Sequence, residues 1–135
     1  MGIFTIFVYQ INRLIIFYRI QYRLMKYIIV PGLNNSGPEH WQTKWELNDP
    51  YIFSRVEQRS WDQPEKTSWV EELENSVAAV KGPVILIAHS LGCVTVAHWA
   101  ANYSSGRVAG AMLVAPADVE KSNKSVFTTF CPVPR

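Results

Sequence analysis

From residue 26 onward, short apolar β-rich runs alternate with longer amphipathic stretches. Lys26–Val30 is apolar and stopped by Pro31-Gly32, which reads as a strand and then a turn. Residues 33–38 are polar and rich in Asn, Ser and Gly. Residues 39–47 carry Trp41 and Trp45 among charged neighbours, the pattern of a short amphipathic helix, with Pro38 ahead of it as a start signal. Asn48-Asp49-Pro50 ends it, and residues 54–59, centred on Val56, suggest a second strand. After a turn at Trp61-Asp62-Gln63-Pro64, Thr67 or Ser68 is placed to cap a second helix, with Glu71 reaching back three residues after Ser68. Trp69, Leu73, Val77 and Val80 give that helix one apolar face.

Gly82-Pro83 stops the helix, and residues 84–88 form a continuous apolar run, as expected of a strand covered on both faces. Residues 92–103 are helical in character, with small side chains at Ala97, Ala100 and Ala101. Residues 108–115 read as one more buried strand. The order β-α-β-α-β-α-β predicts an α/β domain with a parallel sheet and helices on both faces, over residues 25–135.

Residues 1–24 stand apart from this pattern. They are aromatic, β-branched and basic, with Arg13, Arg19 and Arg23 and no acid. A membrane anchor needs roughly 18 apolar residues in a row, and Gln10, Asn12 and Arg13 interrupt the run. A secretory signal starts basic and ends in a small-residue cleavage site; here the basic residues come late and no such site follows. The favoured reading is upstream sequence translated ahead of Met25 and outside the fold. Membrane contact by this segment is the less favoured one.

Composition narrows the function. The chain is 48% hydrophobic and 18% charged, which excludes a disordered chain. Without the three N-terminal arginines, ten basic residues face eleven acidic ones, so nothing suggests a nucleic-acid surface. Cys93 and Cys131 match no zinc spacing and no disulfide framework. They read as free thiols in a reducing compartment, the cytoplasm. No metal site is expected.

The chemistry is concentrated in Ala88-His89-Ser90-Leu91-Gly92, between a buried strand and a helix. A serine hydroxyl is a weak nucleophile unless exposed and oriented, and a strained strand-to-helix turn does both. Such a turn needs small residues two before and two after the serine, here Ala88 and Gly92. Ser90 is therefore the candidate nucleophile, and the Leu91 N–H one oxyanion donor. The second donor belongs in the loop after the first strand. Leu33 N–H is the candidate, with Asn34 next. The competing readings are a Ser90 that only caps a helix and a loop that only turns.

These segments resemble the small serine hydrolases of the retinoblastoma-binding-protein-nine/YdeN family. The resemblance rests on Val30-Pro31-Gly32 with Glu39-His40-Trp41, on Trp61-Asp62-Gln63-Pro64 with Trp69, on Ala88-His89-Ser90-Leu91-Gly92-Cys93, and on Leu113-Val114-Ala115-Pro116-Ala117-Asp118. It implies a three-layer α/β-hydrolase fold and a carboxylesterase-like enzyme acting on small acyl substrates without a cofactor. It also implies a triad in the order Ser, Asp, His, with the last two after later strands. Phe130-Cys131-Pro132-Val133-Pro134 resembles the stretch before the strand leading to the family's aspartate. The expectation is thus an incomplete domain, crippled by loss of the acid and histidine.

No other residue stands in well. His89 precedes the nucleophile and should point away from it. His98 is about 12 Å along the helix and should pack or face solvent. His40 follows the oxyanion loop, where local capping is the simpler role. Asp118 lies after the last strand, on the edge where such folds keep their chemistry. The alternative function is a non-catalytic interaction module or pseudoenzyme. Its nearest support, a partial pocket-protein motif at Leu91-Gly92-Cys93-Val94-Thr95, lacks the glutamate and lies on a helix expected to be buried.

Overall fold

A computed structural model describes residues 13–16 and 25–135. Residues 13–16 are helical and exposed; the rest of the N-terminal segment, and with it the question of read-through or anchor, lies outside the described residues. No helix among the described residues is long and apolar enough to cross a membrane.

Four parallel strands, β1 (Lys26–Val30), β2 (Phe53–Arg55), β3 (Val84–His89) and β4 (Val108–Val114), form one sheet in the order β2-β1-β3-β4. Helices α1 (Trp41–Asn48), α2 (Lys66–Ala79) and α3 (Leu91–Asn102) make the crossovers, and a 3-10 helix spans Ser125–Phe130. This is the expected α/β arrangement, an α/β-hydrolase fold.

Side-chain alternation explains the layers. Ile28 and Val30 of β1, and Val84, Leu86 and Ala88 of β3, point to one face. There they meet Val70, Leu73 and Val77 of α2, and Cys93, Val96 and Trp99 of α3. On the other face, Tyr27 stacks on Phe53 at 5.0 Å and Phe53 meets Trp45 of α1 at 6.2 Å. A second cluster joins Trp69, Leu91, Val94, Val119, Phe127 and Phe130 near the start of α3.

Several expectations need correction. Helix α2 is capped by Glu65, not by Thr67 or Ser68: its carboxylate accepts the Thr67 and Ser68 N–H groups at 2.9 and 2.8 Å. The hydroxyl residues became the capped positions because the helix starts two residues earlier than their side chains suggest. Strand β2 ends at Arg55, although Val56 N–H still reaches Ile29 O at 3.0 Å. Helix α1 starts at Trp41 with His40 as its cap, three residues past Pro38. Strand β4 is not buried: it is the sheet edge among the described residues, and Met112 and Leu113 are 39% and 49% exposed.

Candidate functional site

Strand β3 is apolar from Val84 to Ala88 and sits between β1 and β4 with both neighbours parallel. Its end at His89 brings the chain to the carboxyl edge of the sheet, where α3 starts at once. The junction is Ser90, with φ 53 and ψ −119. A non-glycine residue there is strained, and such strain persists only where surrounding contacts fix it. The contacts are backbone ones. Ser90 N–H donates to Val114 O at 3.1 Å, and Ser90 O accepts from Cys93 and Ala117 at 3.0 and 3.2 Å. The capping alternative fails, because the Ser90 side chain makes no capping hydrogen bond. The hydroxyl is left half-buried at the head of a twelve-residue helix, whose dipole favours negative charge there.

Two glycines let other backbone segments close on this turn. A Cβ on Gly92 would fall 2.1 Å from Val30 O and 2.7 Å from Pro31 O. A Cβ on Gly32 would fall 2.9 Å from the Ser90 Cβ and 3.2 Å from the Leu91 nitrogen. The loop after β1 therefore lies against the serine and the first N–H of α3. Within that loop, Asn34 N–H is already used, donating to Trp61 O at 2.8 Å, and Asn35 N–H closes a turn on Gly32 O at 3.1 Å. Asn34 and Asn35 both adopt left-handed φ, 64 and 65, so the asparagines do make the turn their type suggests. The Asn34 N–H, the second candidate donor, is thus taken by Trp61 O, and no backbone partner among the described residues meets the Leu33 N–H. The Leu33 side chain packs against the second apolar cluster.

The histidines serve other ends. His40 Nδ1 accepts the Gln42 N–H at 3.2 Å, which caps α1, and its ring meets that of His89 at 4.7 Å. Burial first, then His89 and the Arg55 charge, lower the His40 pKa, so the imidazole favours its neutral form. His98 is buried, with Nε2 2.8 Å from Phe130 O. A carbonyl can only accept, so Nε2 carries the proton, and the ring ties α3 to the 3-10 helix. Asp118 is exposed and turned into its own turn, accepting Lys121 N–H at 3.2 Å and pairing with the Lys121 ammonium at 3.2 Å. No described histidine bonds the Ser90 hydroxyl.

The remaining candidates also resolve. Cys93 is buried and Cys131 exposed, and neither is bonded to the other. Burial raises the Cys93 thiol above its ordinary range and keeps it protonated. Leu91 and Thr95 are fully buried and Cys93 and Val94 nearly so, so this stretch cannot be read by a partner as an exposed peptide. A cavity of about 270 Å³ between the start of α2 and the end of α3, lined by Lys66, Glu71 and Tyr103 among others, does not include Ser90. No group of metal-ligating side chains occurs among the described residues.

A parallel sheet with a strained serine at its carboxyl edge, held between a glycine-bearing loop and a helix start, defines an α/β-hydrolase. The family model described as serine hydrolase matches residues 27–135, and the chain belongs to that family. Among solved structures, the crystal structure of a YdeN-like hydrolase from Pectobacterium atrosepticum is similar, with 35% identity and a TM-score of 0.68. The match covers 76% of this chain and 55% of that one, so the chain spans little more than half the length of this relative. No curated protein matches.

Proposed function

We propose that this chain carries the nucleophile half of an acyl hydrolase, acting on small carboxylic esters or related acyl substrates through Ser90. The observation that carries the reading is the Ser90 backbone, φ 53 and ψ −119, at a strand-to-helix turn against Gly32 and Gly92. In the proposed reaction the Ser90 oxygen attacks the acyl carbon and its proton passes to a base. The carbonyl oxygen becomes negative between the Leu91 and Leu33 N–H groups. The alcohol leaves with a proton, and water then releases the acid from the acyl-enzyme.

The base and its acidic partner are not among the described residues. His40 and His98 are committed to backbone partners, and Asp118 to Lys121. The family resemblance puts both groups after later strands. The test is p-nitrophenyl acetate hydrolysis by this chain and by a longer form that continues through those strands. This chain should be slower by several orders of magnitude, with a small residual rate from the oxyanion donors. Equal rates would show that the base lies within residues 25–135, with His40 the first residue to replace.

A further inference from the structure

We infer that Gln42 and Arg55 are positioning residues that hold the loop carrying the Leu33 N–H against Ser90; the inference rests on the hydrolase reading and deepens it. Gln42 is fully buried. Its Oε1 accepts the Ser36 hydroxyl at 2.6 Å. Its Nε2 donates to Ile87 O at 3.0 Å and lies 3.4 Å from Val30 O. One side chain thus joins the loop to the carboxyl ends of β1 and β3, the strands on either side of the site. Val30 O is also the atom against which Gly92 is packed.

Arg55 holds the same loop from the β2 side. Its Nη1 donates to Asn35 Oδ1 at 2.8 Å and to Ser36 O at 3.1 Å. Its Nη2 reaches Thr43 Oγ1 at 2.7 Å and Glu46 at 2.7 Å, and its Nε reaches Glu46 at 2.8 Å. A guanidinium has five N–H donors in a fixed fork, and these five contacts use the whole fork. The Arg55 side chain is only 9% exposed, so these bonds are little screened.

The loop needs such restraint. Asn34 and Asn35 are two successive left-handed residues, a conformation asparagine tolerates at single positions and that two in a row hold better when outside bonds fix it. A donor displaced by about 1 Å loses much of its effect on a developing oxyanion. A buried ion pair is weak support for stability in itself. Its spending of every donor on one loop and the helix behind it is what suggests a positioning role.

The experiment uses two altered proteins and a control, each in the longer form that continues through the later strands, where the base is expected. Gln42→Glu keeps the acceptor for Ser36 but sets a carboxylate oxygen against the Val30 and Ile87 carbonyls. The double variant Arg55→Met with Glu46→Leu removes both charges together, so no buried charge is stranded and the fold is kept. Val77→Ala, far from the loop in the α2 face of the core, supplies a stability loss without touching it. Two readouts are taken on each: amide hydrogen exchange across residues 32–37, and the rate of Ser90 phosphonylation by a fluorophosphonate.

Both loop variants should exchange faster in residues 32–37 alone and label about tenfold to a hundredfold more slowly. Val77→Ala should change neither. If the loop variants exchange like the parent, the clamp does not exist. If exchange rises but labelling keeps the parent rate, the clamp is real and does not position the donor, which overturns the inference. Failure of the unaltered protein to label at Ser90 overturns the hydrolase reading instead, with exchange still deciding the clamp.

Discussion

Gly92→Ala tests the closest contact in the site. The added Cβ would meet Val30 O at 2.1 Å, where ordinary contact begins at 3.4 Å, and Pro31 O at 2.7 Å. Both atoms belong to backbone. Val30 is fully buried in the central pair of strands, so β1 cannot give way, and α3 must shift outward instead. Overpacking of flexible side chains costs about 1–3 kcal/mol, and a rigid backbone clash falls at the upper end or beyond. A loss of about 3 kcal/mol is a large share of the roughly 5–15 kcal/mol that holds a domain folded. At roughly 4 °C per kcal/mol, the melting temperature should fall by about 12 °C. Gly37→Ala is the control, because nothing lies within 4 Å of its added Cβ. Thermal unfolding followed by circular dichroism reads both. A Gly92→Ala protein melting within a degree or two of the parent would mean that α3 does not rest on the end of β1, and the geometry of the elbow would be wrong.

Other outcomes follow from the same structure. Phe130→Ala should cost about 3–5 kcal/mol by urea unfolding, because its fully buried ring meets Trp69 at 5.9 Å and accompanies the His98 bond. Acid should weaken the fold in two stages with one sign. The folded pKa of His40 lies below its ordinary 6.5, so the unfolded chain binds its proton first; that share of stability is present above 6.5 and is lost as pH falls through the folded value. Burial alone would raise the Glu65 carboxyl, but the Thr67 and Ser68 N–H groups outweigh it and hold it below 4.5, so its share is lost further down. Urea unfolding against pH should show both, and His40→Gln should remove only the upper stage. Exposed Met112 and Leu113 on the edge of β4 should make the protein self-associate, and Leu113→Lys should shift its size-exclusion profile toward monomer.

The elbow was legible in the sequence because its signal is local. A continuous apolar run, a serine, and small residues two before and two after it all fall within residues 84–92. The parallel sheet was legible for a similar reason, since alternating apolar runs and amphipathic stretches imply crossovers. The Gln42 and Arg55 clamp was not, because it joins residues 30, 35, 36, 42, 46, 55 and 87, which no period relates. The Glu65 cap was hidden by Thr67 and Ser68, which are better capping types by rank but are already inside the helix or its first turn. Exposure of β4 cannot be read from its composition, because an apolar run looks the same with a neighbour or without one.

The central claim is that Ser90 is the nucleophile. Intact-mass and peptide mass spectrometry after fluorophosphonate treatment tests it directly, in a form of the protein continuing through the family's later strands. The account predicts a single adduct on the peptide containing Ser90, and none in Ser90→Ala. No adduct at all, or an adduct that persists undiminished in Ser90→Ala, would contradict it.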